Sequence, residues 1–322
     1  MVVMKLDLNE KPVLVTGASG FLGQALVRQL IADGCAVTPV ARSQSVAQTP
    51  GWICLERYEG AHDVLHDHFC VVHLAARVHV MHDTSADPLA EFREANVNVT
   101  LNLARQAAAA GVRRFVFISS VKVNGESTAP AHPFTEMDPP NPQDDYGQSK
   151  DEAEQGLRQI AAETGMEVVI IRPPLVYGPG VRANFASLMR AVQRGWPLPL
   201  GAISHNRRSL VGLDNLVDLI VTCIAHPLAA NQTFLVSDGH DLSTADLVRG
   251  LARAAGVPAR LISVPVWALH AVATLLGKRA AAQRLCGRLQ MDISKAEELL
   301  DWVPPVSVDE GLRRTFANME KP

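Results

Sequence analysis

Tyr146 and Lys150 are the residues best placed by type and spacing to move a proton. They lie four positions apart in a segment of helical character, so both side chains fall on one helix face. A phenol titrates at about 10 and is a poor acid–base group at neutral pH, but a neighbouring ammonium lowers that pKa. Ser119 and Ser120 end the preceding apolar run, where a hydroxyl could orient a substrate oxygen towards the tyrosine. We predict general acid–base chemistry, although a Tyr–Lys pair alone also fits a surface contact.

A glycine-rich segment precedes these residues. Positions 16–23 read T-G-A-S-G-F-L-G, between a buried apolar run and a helical one. In such a loop Gly17 permits a tight turn, Gly20 lets the backbone approach a pyrophosphate, and Gly23 allows close helix–strand packing. The helix N-terminus that follows offers free N–H groups to phosphates. We predict a dinucleotide site, with a purely structural turn as the alternative.

The ribose end of that site carries a cation instead of an acid. Many NAD-binding folds place a carboxylate after the second strand, where this chain has Ala41-Arg42-Ser43. Arg42 could hold a 2′-phosphate, which favours NADP(H). NAD(H) stays the alternative if Arg42 is only a solvated loop charge.

The elements that must position these residues alternate along the first half of the chain. Short β-branched runs predict strands, and runs with apolar residues every three or four positions predict helices. The predicted strands are 13–15, 36–40, 70–74, 114–119 and 168–171, and the predicted helices are 21–32, 95–110 and 147–164. This alternation predicts an α/β fold with a Rossmann-like, doubly wound parallel sheet. Pro39 is unexpected inside a strand, because it cannot donate to the ladder.

The composition of the chain changes after Pro173, where Pro/Gly-rich segments separate short predicted helices. We predict a smaller C-terminal substrate domain that interleaves with the first. The nucleotide-binding domain comprises residues 1–172 plus about 209–238, and the substrate domain comprises 173–208 plus 239–322.

Bulk properties exclude several classes of protein. The chain has 322 residues, 48% of them apolar, and a formal net charge of −3, which gives no reason to expect nucleic acid. Five scattered cysteines without a C-x-x-C pair, and an N-terminus unlike a signal peptide, favour the reducing cytoplasm. The apolar segment 264–276 is too short to span a bilayer and predicts a core helix, so we expect no membrane association.

The histidines invite a metal interpretation, which we discount. His62, His66 and His68 lie close together, with His73, His79 and His82 following. No fixed set of Cys or Asp ligands accompanies them, and the predicted chemistry needs no metal.

Several motifs in order carry a family resemblance. TGASGFLG (16–23), HLAA (73–76), SSVKVNG (119–125), YGQSK (146–150) and RPPLVYGPG (172–180) resemble the extended short-chain dehydrogenase/reductases, specifically their nucleotide-sugar epimerase/dehydratase group. The resemblance covers nearly the whole chain. It implies an enzyme with a UDP-sugar substrate, and it is compatible with a homodimer.

The resemblance also implies residue roles. Ser120, Tyr146 and Lys150 match the catalytic positions, and Asn96 matches a supporting asparagine. Cofactor contacts are implied for Gly17, Gly20, Phe21, Leu22, Gly23, Leu74, Ala75, Ala76, Ser119, Pro173 and Pro174, besides Arg42, Tyr146 and Lys150. Substrate contacts are implied for Asn184, Phe185, Arg208 and Arg288. Lys122 is a further hypothesis for a sugar contact, against a solvated loop lysine.

Departures from the family pattern narrow the reaction. The 4,6-dehydratases carry an Asp-Glu pair after the catalytic hydroxyl, where this chain has Val121 and Lys122, so dehydration is not expected. The chain looks most like a subgroup from bacterial surface-polysaccharide (O-antigen, lipopolysaccharide) loci. We expect C4-keto reduction of a UDP-4-keto-6-deoxy-N-acetylhexosamine, because Arg42 suits NADPH. A UDP-hexose 4-epimerase is the alternative, and a non-catalytic dinucleotide sensor is disfavoured by the intact Ser–Tyr–Lys set.

Overall fold

A computed structural model describes residues 11–41, 51–58, 60–78, 87–277 and 279–317. Its strands are β1 (Val13–Thr16), β2 (Val37–Ala41), β3 (Ile53–Cys54), β4 (Cys70–His73), β5 (Arg114–Ile118), β6 (Glu167–Arg172), β7 (Leu175–Tyr177), β8 (Leu210–Gly212) and β9 (Thr233–Leu235). Its helices are α1 (Phe21–Ala32), α2 (His62–Leu65), α3 (Pro88–Arg93), α4 (Val99–Ala109), α5 (Asp145–Thr164), α6 (Ala183–Gln193), α7 (Leu213–Ala225), α8 (Thr244–Ala255), α9 (Val266–Leu275), α10 (Arg279–Cys286), α11 (Ser294–Leu300) and α12 (Val308–Phe316). A π-helical turn, Glu94–Asn98, joins α3 to α4.

Seven strands form one parallel sheet in the order β3-β2-β1-β4-β5-β6-β9. The order reverses between β1 and β4, which opens a crevice at the carboxyl ends of these strands. The predicted glycine loop follows β1, and the HLAA segment ends β4 and continues past it, so both lie at this crevice. The prediction of a doubly wound α/β fold is confirmed.

The sheet is buried on both faces because its strands are apolar at nearly every position. Successive side chains point to opposite faces. Val13 and Val15 pack into the core that includes α1 and α7, whereas Leu14 packs into the core that includes α4 and α5. Helices on both faces therefore hold the carboxyl ends of the strands in fixed positions.

Pro39 lies inside β2, although a proline was unexpected within a strand. β3 pairs only with Val40 and Ala41, so within the part of the chain that the structure describes the outer edge of β2 has no partner strand at Pro39. A missing N–H is tolerated at such an edge position, which explains the proline.

The second half of the chain builds a separate core beside the sheet. β7 and β8 form a two-stranded parallel sheet, and Tyr177 packs with Phe185 on α6 and with residues of α8 and α12. α7 packs on α1, and β9 returns to the main sheet, so chain segments cross between the two regions. The domain boundaries given above stay a prediction.

The expectation of a core helix over 264–276 is wrong. α9 forms there, but none of its residues is buried, and its principal packing partner is α10. An apolar sequence favours burial, but a helix is buried only where another element packs against it. No helix among the described residues combines the length and apolar character needed to cross a bilayer.

Candidate active site

The glycine loop forms a tight turn between β1 and α1. Gly17 has a positive φ of 67°, and the N–H of Gly20 donates to the carbonyl of Gly17 at 2.9 Å. Gly20 is the N-cap of α1 and supplies no side-chain cap. The first N–H groups of α1 are therefore open to an anion.

The loop is packed too closely for side chains at two of its glycines. A Cβ on Gly17 would lie 2.8 Å from the backbone nitrogen of Ala75, and one on Gly23 would lie 2.2 Å from the carbonyl oxygen of Gly17. The loop thus rests on the segment of Leu74 and Ala75 that leaves β4, with Ala76 following. This cradle, with the uncapped helix end above it, fits the pyrophosphate of a dinucleotide.

Tyr146 and Lys150 lie in the first turns of α5. The Asp144 carboxylate caps this helix by accepting from the N–H of Gly147 at 2.8 Å. Lys150 is 2% exposed, and its ammonium donates to the carbonyl of Ile118 at 2.8 Å. The Lys150 nitrogen lies 6.0 Å from the centroid of the Tyr146 ring. The structure therefore brings both residues to the carboxyl end of β5.

The two serines after β5 have different environments. Ser120 is half-buried, and its hydroxyl oxygen accepts weakly from the N–H of Lys122 at 3.3 Å, which leaves its proton available. Ser119 is buried, and its hydroxyl donates to the carboxylate of Glu154 at 2.6 Å. A cofactor contact by Ser119 would thus come from its backbone.

The pKa values differ from the sequence expectation. Burial, with the Asp144 charge adding to it, raises the pKa of Tyr146 above its usual value. Burial lowers the pKa of Lys150 to about 7, against the opposing effect of Glu154. Lys150 is therefore only partly cationic at neutral pH, and in the protein alone Tyr146 is held as the phenol, ready to donate.

Sequence reasoning missed a buried polar network below the site. Glu154 is fully buried and accepts from both nitrogens of an Arg172 fork, at 2.9 and 2.6 Å. Arg172 also donates to the side-chain oxygen of Asn124 at 2.9 Å. Glu154 lies four residues after Lys150 on α5, and this spacing was the available signal.

Asn96 supports α5 from the π-helical turn. Its side-chain nitrogen donates to the hydroxyl of Ser149 at 3.0 Å and to the carbonyl of Arg77 at 3.1 Å, and its oxygen accepts from the N–H of Arg77 at 2.8 Å. The loop after β5, which carries Ser120, is held to the segment after β6, because the carbonyl of Pro173 accepts from the N–H of Val121 at 3.0 Å. These bonds fix the helix and the loop that carry the Ser–Tyr–Lys set.

Lys122 is an ion-paired residue beside the site. Its ammonium pairs with the carboxylates of Asp144 and Glu126, and it lies 6.0 Å from the centroid of the Tyr146 ring. It is therefore not a freely solvated loop lysine. Its contact with a sugar stays a prediction.

The predicted substrate residues lie on the second region. The backbone of Arg208 pairs with Leu242, and its pKa is lowered by burial. The guanidinium of Arg288 donates to Gln290 at 2.8 Å and to the carbonyl of His205 at 3.0 Å. At the start of α6, Asn184 is exposed, whereas Phe185 is buried with its ring stacked on Tyr177. Any ligand contact by Phe185 would therefore come from its backbone.

His73 has a structural environment. His73 is buried between the hydroxyls of Thr16, at 2.7 Å, and Thr100, at 3.0 Å. Among the described residues, no group of three or more His, Cys, Asp or Glu side chains could hold a metal. His79, His82 and Arg42 lie outside the described residues, so the interpretation of Arg42 stays untested.

A parallel sheet of this order, with a glycine loop and a Ser–Tyr–Lys set at its switch point, defines the extended short-chain dehydrogenase/reductase class. The chain belongs to the NAD dependent epimerase/dehydratase family, whose model matches residues 13–237. It is an enzyme of that family. A dinucleotide held by the glycine loop would supply hydride-transfer chemistry.

The chain is similar in sequence and structure to several known epimerases. The chain is 50% identical to a UDP-glucose 4-epimerase of Vibrio cholerae, over 95% of this chain and 94% of that one. It resembles the crystal structure of UDP-glucose 4-epimerase with UDP-glucose from Thermotoga maritima, with a TM-score of 0.76 and 27% identity over 94% of this chain and 97% of that one. The UDP-N-acetylglucosamine 4-epimerase of Bacillus cereus shares the fold, with a TM-score of 0.78 and 22% identity over 94% and 97% of the two chains.

Replacing Gly23 with Ala is expected to raise the Kd for NAD by at least about tenfold, equivalent to ~1.4 kcal/mol. The new Cβ would meet the Gly17 carbonyl and the Ala18 backbone, so the loop must move away from its phosphate-binding position. Fluorescence titration with NAD measures the effect. Gln29→Ala on the exposed face of α1 is the control and should bind normally; equal affinities of all three proteins would contradict the assignment of the loop.

Replacing Lys150 with Met is expected to raise the free energy of unfolding at acid pH while it lowers kcat. Burial lowers the pKa of Lys150 from 10.5 to about 7, so below 7 the native state carries a disfavoured buried charge. As the pH rises from about 7 towards 10.5, the native lysine is neutral while the unfolded one is still protonated, and the gain from Met shrinks. Urea unfolding of wild type, Lys150→Met and the exposed control Gln155→Met across this pH range measures the free energy of unfolding. A difference between wild type and Lys150→Met that does not change with pH would contradict the buried charge.

Proposed function

We propose that the protein is a UDP-hexose 4-epimerase, which inverts C4 of the sugar with no net redox change. The observation that carries the proposal is the 50% identity, across nearly the full length of both chains, to a UDP-glucose 4-epimerase. This similarity supports the alternative given above better than C4-keto reduction. The preference for reduction depended on Arg42, which lies outside the described residues, so NADP(H) over NAD(H) stays a prediction.

The described residues can perform the proton part of this reaction. Oxidation at C4 requires removal of a proton from the C4 hydroxyl, and reduction on the opposite face requires its return. Tyr146 would take that proton as the phenolate and return it as the phenol, so the oxidation half requires Tyr146 to be ionised first, and the Ser120 hydroxyl would hold the same sugar oxygen in line. Because Val121 and Lys122 replace an Asp-Glu pair, no acid–base pair follows Ser120 to eliminate water.

The nucleotide end of the substrate fits the second region. The Arg208 guanidinium suits a phosphate oxygen pair, and burial strengthens such a contact by excluding water. By the family resemblance, the exposed Asn184 amide at the start of α6 would contact the same diphosphate. Arg288 is already bonded to Gln290 and His205, so its contribution would require rearrangement.

Interconversion assays test the proposal. Purified protein is incubated with NAD and UDP-galactose, and separately with UDP-N-acetylgalactosamine, and the products are separated by chromatography. We expect the gluco form to appear in at least one mixture with no lasting change in the reduced-nicotinamide absorbance. Consumption of NADPH by a UDP-4-keto-6-deoxy-N-acetylhexosamine, without interconversion in either mixture, would overturn the epimerase proposal in favour of reduction.

A further inference from the structure

The helical hairpin of α9 and α10 exposes an unusual amount of apolar surface. Trp267 is 75% exposed and Leu275 is 86% exposed, and Val272, Leu276 and Leu285 are exposed to a smaller extent. Exposed large apolar groups on this scale mark an interaction surface, whereas scattered single ones do not.

The apolar surface continues onto the neighbouring segment. Leu198 and Ile262 are joined through the backbone, since the N–H of Ile262 donates to the carbonyl of Leu198 at 2.8 Å. This pairing places the segments of two more exposed apolar side chains, Trp196 and Ile262, next to each other. The guanidinium of Arg194 lies over the Trp196 ring at 5.6 Å. We call α9, α10, Trp196 and Ile262 the apolar face.

The charge of this region is opposite to that of the chain. Residues 254–291, which include α9 and α10, contain five Lys and Arg and no Asp or Glu. The exposed Arg194 adds a cation at Trp196. The chain as a whole has a net charge of −3, so its acidic residues are concentrated elsewhere. Cationic residues beside exposed Trp and Leu are typical of elements that lie in the interface of an anionic bilayer.

We infer that the apolar face docks on an anionic lipid membrane surface, with α9 lying in the plane of the interface. A second copy of the chain fits less well, because it would bring the same cationic residues together from both copies. Nucleic acid fits less well because the most exposed groups of α9 are apolar. The inference does not depend on the proposed reaction.

Hydrogen bonds connect the apolar face to the substrate side of the active site. The side-chain nitrogen of Asn206 donates to the carbonyls of Leu285 and Gly287, at 3.1 and 3.2 Å, and the hydroxyl of Thr244 donates to the same Leu285 carbonyl at 2.6 Å. These bonds hold the end of α10 against the segment that carries Arg208. Docking would therefore hold the substrate side of the active site close to the membrane.

Sedimentation with lipid vesicles tests the inference. The full-length protein is mixed with vesicles of phosphatidylcholine alone or of equal parts phosphatidylcholine and phosphatidylglycerol. We expect binding to the anionic vesicles, weaker binding to the neutral ones, and a decrease with added salt. Absence of binding to both kinds of vesicle would overturn the inference.

Paired variants separate the apolar face from general charge effects. Trp267→Glu with Leu275→Glu is expected to weaken binding to anionic vesicles by about tenfold or more. Met137→Glu with Val303→Glu makes the same chemical change at exposed apolar residues elsewhere and should bind as wild type. Circular dichroism confirms that both fold. An equal loss of vesicle binding in both variants would contradict docking on lipid. So would a wild-type protein that does not bind vesicles but self-associates, if only the α9 variant removes that self-association.

Discussion

Replacing Tyr146 with Phe is expected to lower kcat for UDP-hexose interconversion by about 10²- to 10⁴-fold, the usual contribution of a positioned acid–base group. The substitution removes one oxygen and keeps the ring, which packs edge-on against Phe92 at 6.1 Å between centroids. The fold and the nucleotide site should therefore be preserved. Steady-state kinetics with UDP-galactose measures kcat and KM, and calorimetric titration with UDP measures binding.

A second tyrosine provides the matched control for this experiment. The hydroxyl of Tyr177 donates to Asp238 at 2.7 Å in the core of the second region, away from the Ser–Tyr–Lys set. Tyr177→Phe should lower the free energy of unfolding by about 1 kcal/mol and leave kcat nearly unchanged. Full activity of Tyr146→Phe would place the proton transfer elsewhere, and a parallel loss of UDP affinity would indicate a structural role.

The second large effect concerns stability. Glu154→Gln is expected to lower the free energy of unfolding by about 3–5 kcal/mol, because it leaves the buried Arg172 guanidinium without a countercharge. Glu154 is fully buried, and Arg172 is 2% exposed as a residue. Urea denaturation followed by circular dichroism measures the change. Since Glu154 also accepts from Ser119, a decrease in kcat at temperatures where the variant stays folded is expected too.

A partly exposed ion pair between α3 and α5 is the control. Arg93 forms a two-pronged contact with Glu152, with both side chains partly exposed. Glu152→Gln should change the free energy of unfolding by about 0–1 kcal/mol, since solvent screens this pair. The double variant Glu154→Leu with Arg172→Met should recover much of the stability, because it removes both buried charges. A stability of Glu154→Gln equal to that of the control would contradict the buried network.

Local patterns in the sequence determined the frame of the active site. The three glycines of residues 16–23 specify a turn that residues with a Cβ cannot make, and the i, i+4 spacing of Tyr146 and Lys150 specifies a shared helix face. Alternating apolar runs specified a parallel sheet. These features depend on neighbours a few residues apart, so the chain alone carries them.

The tertiary structure decided what depends on distant neighbours. Glu154, Arg172 and Asn124 are ordinary polar residues in sequence and become one buried network only because β5, β6 and α5 meet. The pKa of Tyr146 is raised although Lys150 is near, because burial outweighs a lysine that is itself only partly charged. Phe185 is buried and α9 is uncovered for the same reason: apolar character is a property of a residue, whereas burial is a property of the elements packed around it.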